Sequence, residues 1–263
     1  MSYLYLVRHG QTTSNTIHAL DTALPGADLT ELGREQALAV GEELARRTTR
    51  PLHVMSSLAA RAQQTAVLLA EGFTTAGGEL ASAGDGSEFA SRFAGRGLSP
   101  ISDATSTDFG FGQTDYISTI DDIAEIAAGD YEMRNDEDAH EAYHGVLMGW
   151  LHGETDVPVA GGKTGEEILE TYVPQIISVL RALPADTDVA VVSHGAIIRF
   201  VARFLGGVDP EWAYSGYLAN THYVMLEVPE EIEKMATELS GSDVEGAFDV
   251  LEWGTTGHPD KAR

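Results

Sequence analysis

Arg8, His9 and Gly10 directly follow a short apolar run, and His194 and Gly195 directly follow another, DVAVVS, much further along the chain. Ser56 and Ser57 close a third apolar run, with Arg61 shortly after them. Imidazole can attack or donate near neutral pH, and guanidinium offers a planar fork that matches phosphate or carboxylate oxygens. A glycine after each histidine lets backbone N–H groups approach an anion. If the three runs are neighbouring strands, these residues meet beyond their carboxyl ends, where open α/β sheets bind ligands. The cluster is unusual for its chain, because 16 Lys and Arg against 41 Asp and Glu give 263 residues a formal charge of −25. That charge repels a phosphate backbone, so no nucleic-acid partner is expected, and any anionic ligand needs a dedicated cationic pocket.

Three other patterns suggest different chemistry. His140-Glu141-Ala142-Tyr143-His144 matches H-E-x-x-H, in which two histidines on one helix face hold zinc and the glutamate acts as base. Glu166 or Glu167 could be nominated as a third ligand but nothing independent selects either, and Gly145 follows where a supporting helix should continue. A zinc-dependent hydrolase is therefore a lesser alternative, with no metal ligand assigned and no cofactor expected. Gly162-Lys163-Thr164 lacks the first glycine of a phosphate loop, since Val157 stands in its place. Gly110-Phe111-Gly112 lacks the third glycine of a dinucleotide fingerprint and reads as a loop. Zero cysteines exclude disulfides, thiolate metal sites and cysteine nucleophiles.

The elements that must position the cluster follow from hydrophobic spacing. Tyr3 to Val7, Leu52 to Ser56 and Asp188 to Ser193 read as short buried strands, and Thr221 to Val228 and Ala247 to Trp253 as two more. Thr30 to Arg47 places Leu32, Gln36, Ala37, Val40, Leu44 and Ala45 at helical intervals. Further helices are read at Leu58 to Ala70, Asp136 to Trp150, Ala196 to Leu205 and, with many acids, Glu230 to Leu239. Another, Thr164 to Leu183, opens on a capping box made by Thr164 and Glu167. Strands alternating with helices predict a single α/β domain over 1–263, a three-layer α/β/α sandwich with a mostly parallel central sheet. Gly72 to Tyr116 lacks periodicity, so 72–120 reads as an insertion or lobe, followed by a cap segment over 121–160. The opening MSYLYLVRHG has no basic leader, and no stretch reaches membrane-spanning length. A cytoplasmic protein without a membrane partner is expected; oligomeric state is not readable.

LVRHGQTTSN (Leu6 to Asn15), DLTELGREQA (Asp28 to Ala37), SSLAARAQQTA (Ser56 to Ala66) and VVSHGAIIR (Val191 to Arg199) resemble, in order, the four signature blocks of the histidine phosphatase, or phosphoglycerate-mutase-like, superfamily. The resemblance spans about residues 1 to 70 and 121 to 228. It implies that His9 is a nucleophile forming a phosphohistidine, that Arg8, Arg61 and Asn15 bind phosphate, and that His194, with Gly195 beside it, contacts the transferring group. Gly195 and Ala196 follow His194, where one branch of the superfamily has an aspartate, so the proton donor must come from elsewhere. IAEIAAGDYEM (Ile123 to Met133) resembles the other branch's L-x-E-x-x-x-G-x-x-E-G, with Met133 in place of the final glycine. This makes Glu125 the general acid and then base, in preference to Glu79 and Glu88. The resemblance thus implies a metal-independent phosphatase acting on a small phosphomonoester. A phosphoglycerate-type mutase is the alternative, disfavoured because none of the three lysines lies in the matching blocks. A catalytically dead phospho-ligand-binding relative is disfavoured by the intact set of Arg8, His9, Arg61 and His194.

The charge is unevenly spread. Residues 1–61 carry a net charge of zero and 171–226 carry −1, whereas 121–170 carry −12 and 227–260 carry −9. The matching blocks are close to neutral and the acidity lies in the cap and C-terminal segments. Added salt is expected to raise kcat/KM for an anionic substrate by screening that surface. A steep fall of kcat/KM with salt would mean that the pocket's own field dominates.

Overall fold

The computed structural model describes residues 1–81, 99–100, 117–120, 122–235 and 244–254. Strand β1 (Tyr3–Arg8) is buried on both sides: Leu4 and Leu6 join one core cluster, Tyr5 and Val7 the other. Strand β5 (Asp188–Ser193) alternates likewise, with Val189 and Val191 on one face and Ala190 and Val192 on the opposite one. This period of two produces the three expected layers, a sheet with helices on either face. The other strands are β2 (Leu52–Ser57), β3 (Ser99–Pro100), β4 (Ile117–Ile120), β6 (Tyr223–Glu227) and β7 (Asp249–Trp253), in the order β3-β4-β2-β5-β1-β6-β7. Strands β4, β2, β5 and β1 are parallel, while β3, β6 and β7 are added antiparallel at the edges. The sheet is therefore parallel at its centre and mixed overall. Arg8 pairs in register with Ser193, and β2 lies on the other side of β5, so three of the strand ends singled out above are adjacent.

Seven helices are formed among the described residues: α1 (Thr13–Thr16), α2 (Glu31–Arg47), α3 (Ala60–Thr75), α4 (Glu137–Leu151), α5 (Gly165–Ala182), α6 (Gly195–Gly206) and α7 (Pro210–Ser215). Thr30 caps α2, and the Thr164 and Glu167 capping box opens α5. Helix α3 runs past the expected end at Ala70. Its Gly72 packs against α2 so closely that a Cβ would lie 2.1 Å from the Leu38 carbonyl oxygen. Gly72 is thus a helix-crossing glycine and not the first residue of an insertion. Helices α1 and α7 and strands β3 and β4 were not anticipated, since each is too short to show a period. The expected helix at Glu230 to Leu239 is corrected: its described part forms only a 3₁₀ turn, Ile232–Lys234. Glu230, Glu231 and Glu233 crowd that turn, while Ile232 is buried and Met235 packs partly against the same core cluster. Residues 236–239, Glu88 and Gly110-Phe111-Gly112 lie outside the described residues. Among the described residues no helix is long and apolar enough to cross a membrane.

Met133, which stands where the resembling motif ends in glycine, adopts φ 60° and is exposed. A left-handed backbone costs a side-chain-bearing residue about 1–2 kcal/mol, partly offset in glycine by unfolded-state entropy. Met133→Gly is expected to raise unfolding free energy by roughly 0.5–1 kcal/mol in urea titrations. A loss of stability would show that the methionine side chain contributes more than its backbone costs.

Candidate active site

The turn after β1 is held from every side. The His9 N–H donates to the Ser193 carbonyl at 3.0 Å, and the Thr221 N–H donates to the Arg8 carbonyl at 3.0 Å. The Gly10 N–H donates to Thr65 Oγ1 (3.0 Å), whose own O–H donates to the Arg61 carbonyl (2.7 Å). The Gln11 N–H donates to Gln36 Oε1 at 2.9 Å, and the Thr30 N–H to the Gln11 carbonyl at 2.9 Å. Gly10 sits against Gly33, where a Cβ would lie 2.4 Å from the Gly33 carbonyl oxygen, and a Cβ on Gly33 would meet Gln11 as closely. Thr30, Gly33, Gln36 and Thr65, drawn from two of the sequence blocks, are thus the supports of a third.

This bracing fixes the chemistry of His9. Its Nδ1 lies 2.7 Å from the Gly10 carbonyl, which can only accept, so the proton is on Nδ1 and the Nε2 lone pair is free. Burial, then Arg61 and Arg8, hold His9 well below the ordinary histidine pKa, so it is neutral near pH 7. Its ring meets that of His194 edge to face, 5.3 Å between centroids. His194 is fully buried, and burial followed by Arg61, His9 and Arg8 keeps it neutral as well. Its Nε2 lies 2.7 Å from the Ser57 hydroxyl at the end of β2.

A cavity of about 470 Å³ opens over His9, lined also by Arg8, Asn15, Arg61, Glu125, Gly195 and Arg199. Arg8 Nε, Arg61 Nη1 and His194 Nδ1 are all buried without a hydrogen-bond partner. Unsatisfied buried guanidinium donors are costly, and a cavity lined by both Arg8 and Arg61 fits an anion. Burial lowers the pKa of Arg61, with Asp21, Glu125 and Glu132 acting in the opposite direction, yet a guanidinium remains charged. Arg8 is steered by Tyr217 Oη (2.9 Å) and the Leu218 carbonyl (2.6 Å). Asn15 completes a capping box on α1, and its Oδ1 accepts from the Thr12 N–H and from Asn220 Nδ2 (both 3.1 Å). With the oxygen occupied, the Asn15 amide N–H₂ is the group left for a ligand.

Glu125 sits at the N-terminus of α6. Its Oε1 accepts from Ile126 and Ile197 N–H, both at 3.0 Å, while Oε2 accepts only from Ala196 N–H at 3.2 Å. Oε2 is therefore the oxygen with room for a proton. The rest of its motif supports it: Glu132 Oε1 accepts from the Thr22 N–H (2.8 Å) and the Ala23 N–H (3.0 Å), and Thr22 Oγ1 accepts from the Ala128 N–H (2.8 Å). The rival Glu79 is exposed and does not line the cavity. His140 and His144 do line it, whereas Glu141 of the same pentapeptide is exposed. Among the described residues no three His, Asp or Glu side chains are grouped to hold a metal ion.

Sequence reasoning missed Arg199, Tyr217, Asn220 and the supporting role of Ser57. Arg199 was findable, because it lies one helical turn from Gly195 inside a quoted block and so shares its face. Nearly buried, it donates from Nη1 to the Tyr214 carbonyl at 3.0 Å. Tyr217 and Asn220 lie in a loop with no local pattern, and only the adjacency of β6 to β1 brings them to His9.

The profile of the histidine phosphatase superfamily (branch 1) matches residues 4–77 and 104–237. The chain is 26% identical over 230 residues to a glucosyl-3-phosphoglycerate phosphatase of Mycolicibacterium vanbaalenii, covering 85% of this chain and 83% of that one. In structure it is similar to a mycobacterial glucosyl-3-phosphoglycerate phosphatase complexed with VO3, with a TM-score of 0.63, 22% identity, and 97% and 99% of the two chains covered. It is also similar to a phosphoserine phosphatase of Entamoeba histolytica in complex with 3-phosphoglyceric acid, with a TM-score of 0.56, 21% identity, and 86% and 91% covered.

The lowered pKa values of His9 and His194 predict that both stay neutral as pH falls through the ordinary histidine range. The unfolded chain takes up those protons below about pH 6.5, so folding stability should also decline from there downward. In a histidine ¹⁵N NMR titration both rings are expected to remain neutral at about pH 5.5. A midpoint near 6.5 for either would mean that burial and the arginines do not control it.

Proposed function

We propose, from the premise that this chain belongs to branch 1 of the histidine phosphatase superfamily, that it is a phosphatase hydrolysing a small phosphomonoester through a phosphohistidine on His9. The observation that carries this reading is the tautomer of His9: Nδ1 bound to the Gly10 carbonyl leaves Nε2 as a neutral nucleophile in a cavity lined by Arg8 and Arg61, whose Nε and Nη1 donors are buried without a partner. In the first step Nε2 attacks phosphorus, the bond from phosphorus to the leaving oxygen breaks, and Glu125 protonates that oxygen. Arg8, Arg61, the Asn15 amide and His194 Nδ1 would receive the equatorial oxygens as their charge redistributes. Donation from the Ser57 O–H to His194 Nε2 would leave the proton on Nδ1, making it a donor. In the second step Glu125 takes a proton from water attacking phosphorus, the P–N bond breaks, and His9 and phosphate are released.

Hydrolysis is favoured over a mutase reaction by the cavity's make-up. Its cations among the described residues are the arginines Arg8, Arg61 and Arg199, with no lysine lining it. No step requires a metal ion. Glucosyl-3-phosphoglycerate, named in the relatives, belongs in the substrate panel.

Turnover of p-nitrophenyl phosphate is expected to persist in EDTA and to fall at least about 10³-fold in His9→Ala. Glu125→Gln should slow alkyl phosphate hydrolysis by roughly 10²–10⁴-fold but p-nitrophenyl phosphate hydrolysis far less, because that leaving group hardly needs a proton. Equal losses on both esters would remove Glu125 as the acid, and wild-type inactivity across a phosphoester panel would overturn the phosphatase reading.

A further inference from the structure

The His140-Glu141-Ala142-Tyr143-His144 pentapeptide has no part in the phosphoryl chemistry, yet its two imidazoles line the same cavity as His9. They stack on α4 with centroids 5.8 Å apart and planes 25° from parallel. Between them Tyr143 is buried and donates its O–H to the Ile126 carbonyl at 2.9 Å, next to Glu125. The helix is thereby anchored to the segment that carries the proposed acid.

The hydrogen-bonding capacity of the pair follows from its surroundings. His140 Nε2 lies 2.8 Å from the His18 carbonyl, which can only accept, so Nε2 bears the proton and Nδ1 is a lone pair. His144 is half-buried and lowered to about 4 by burial, Arg199 and His140. Neutral near pH 7, it offers one donor and one acceptor. Tyr217, exposed and also lining the cavity, accepts from Arg8 and keeps its own O–H to donate. A purely apolar group would strand these donors and acceptors. Hydroxyl groups, which both donate and accept, satisfy them.

We propose that the α4 face bearing His140 and His144 is the leaving-group subsite, and that it selects esters of polyhydroxylated alcohols, sugars or sugar alcohols, through uncharged imidazole hydrogen bonds. The inference rests on the phosphatase reading of the cavity. The same spacing could chelate a divalent cation. Against that, His140 Nε2 is already occupied by the His18 carbonyl and Glu141 points away into solvent.

Sorbitol 6-phosphate and n-hexyl phosphate, equal in chain length and different in hydroxyls, test it alongside p-nitrophenyl phosphate. Wild-type kcat/KM is expected to favour the sorbitol ester by at least about 10-fold. His144→Phe keeps the ring and removes both nitrogens, and His140→Phe does the same at the neighbouring position. Each should erase most of that preference through KM, while hexyl and p-nitrophenyl phosphate change by less than about 3-fold. Absence of a wild-type preference, or equal losses on all three esters in both variants, would overturn the subsite. A preference abolished by EDTA would place a metal there instead and also overturn it. Wild type inactive on all three esters would instead bring down the phosphatase reading itself.

Discussion

Where Gly10 meets Gly33, two backbones approach more closely than any side chain would permit. That contact seats the turn after β1 on the N-terminus of α2, and the geometry of the site depends on it. With the turn seated, Gln36 and Thr65 reach its N–H groups, the Gly10 carbonyl orients His9, and the loop before β6 closes over the Arg8 and His9 carbonyls. A nucleophile on a freer loop would lose orientation and the fixed tautomer together. The dense bracing also explains why several block residues touch no ligand position. They act through backbone placement, and the side chain they leave facing the cavity is that of His9, the proposed nucleophile.

The second constraint is electrostatic. A chain of net charge −25 buries Arg61 and Arg199 and half-buries Arg8 around one cavity. Asp21 and Glu132, which bear on Arg61 electrostatically, spend their oxygens on the surrounding loops: Asp21 on Ser14 and Ala27, Glu132 on Thr22 and Ala23. Glu125 is held in the same way by the first N–H groups of α6. Among the described residues no carboxylate hydrogen-bonds these three arginines, so they keep donor capacity. An arriving phosphate would recover the cost of burying those donors, which makes the free site strained toward its ligand.

The histidine pair on α4 illustrates how a local pattern underdetermines its use. The i,i+4 spacing is a statement about one helix face, and it is met: both rings lie on one side and Glu141 on another. Whether that face holds zinc, packs in a core or borders a substrate depends on what the rest of the chain brings opposite it. Here it is the His18 carbonyl, Arg199 and the mouth of the His9 cavity.

The buried strands, the capped helices and the meeting of Arg8, His9, Arg61 and His194 were legible in the sequence. Strand burial is written in apolar runs, caps in single side chains, and chemistry in residue type beside glycine. The place of Glu125 at the cavity was legible too, through the Gly129 and Glu132 offsets of its motif. Tertiary structure decided what adjacency alone can decide. Gly72 became a helix crossing because α2 lies against it, and the acidic segment after Pro229 forms a 3₁₀ turn at Ile232–Lys234 in its described part. Asn220 and Tyr217 reached the site because β6 pairs with β1, although both are more than two hundred residues from His9. Local interactions follow the sequence directly, whereas contacts across such separations exist only once the sheet order is set.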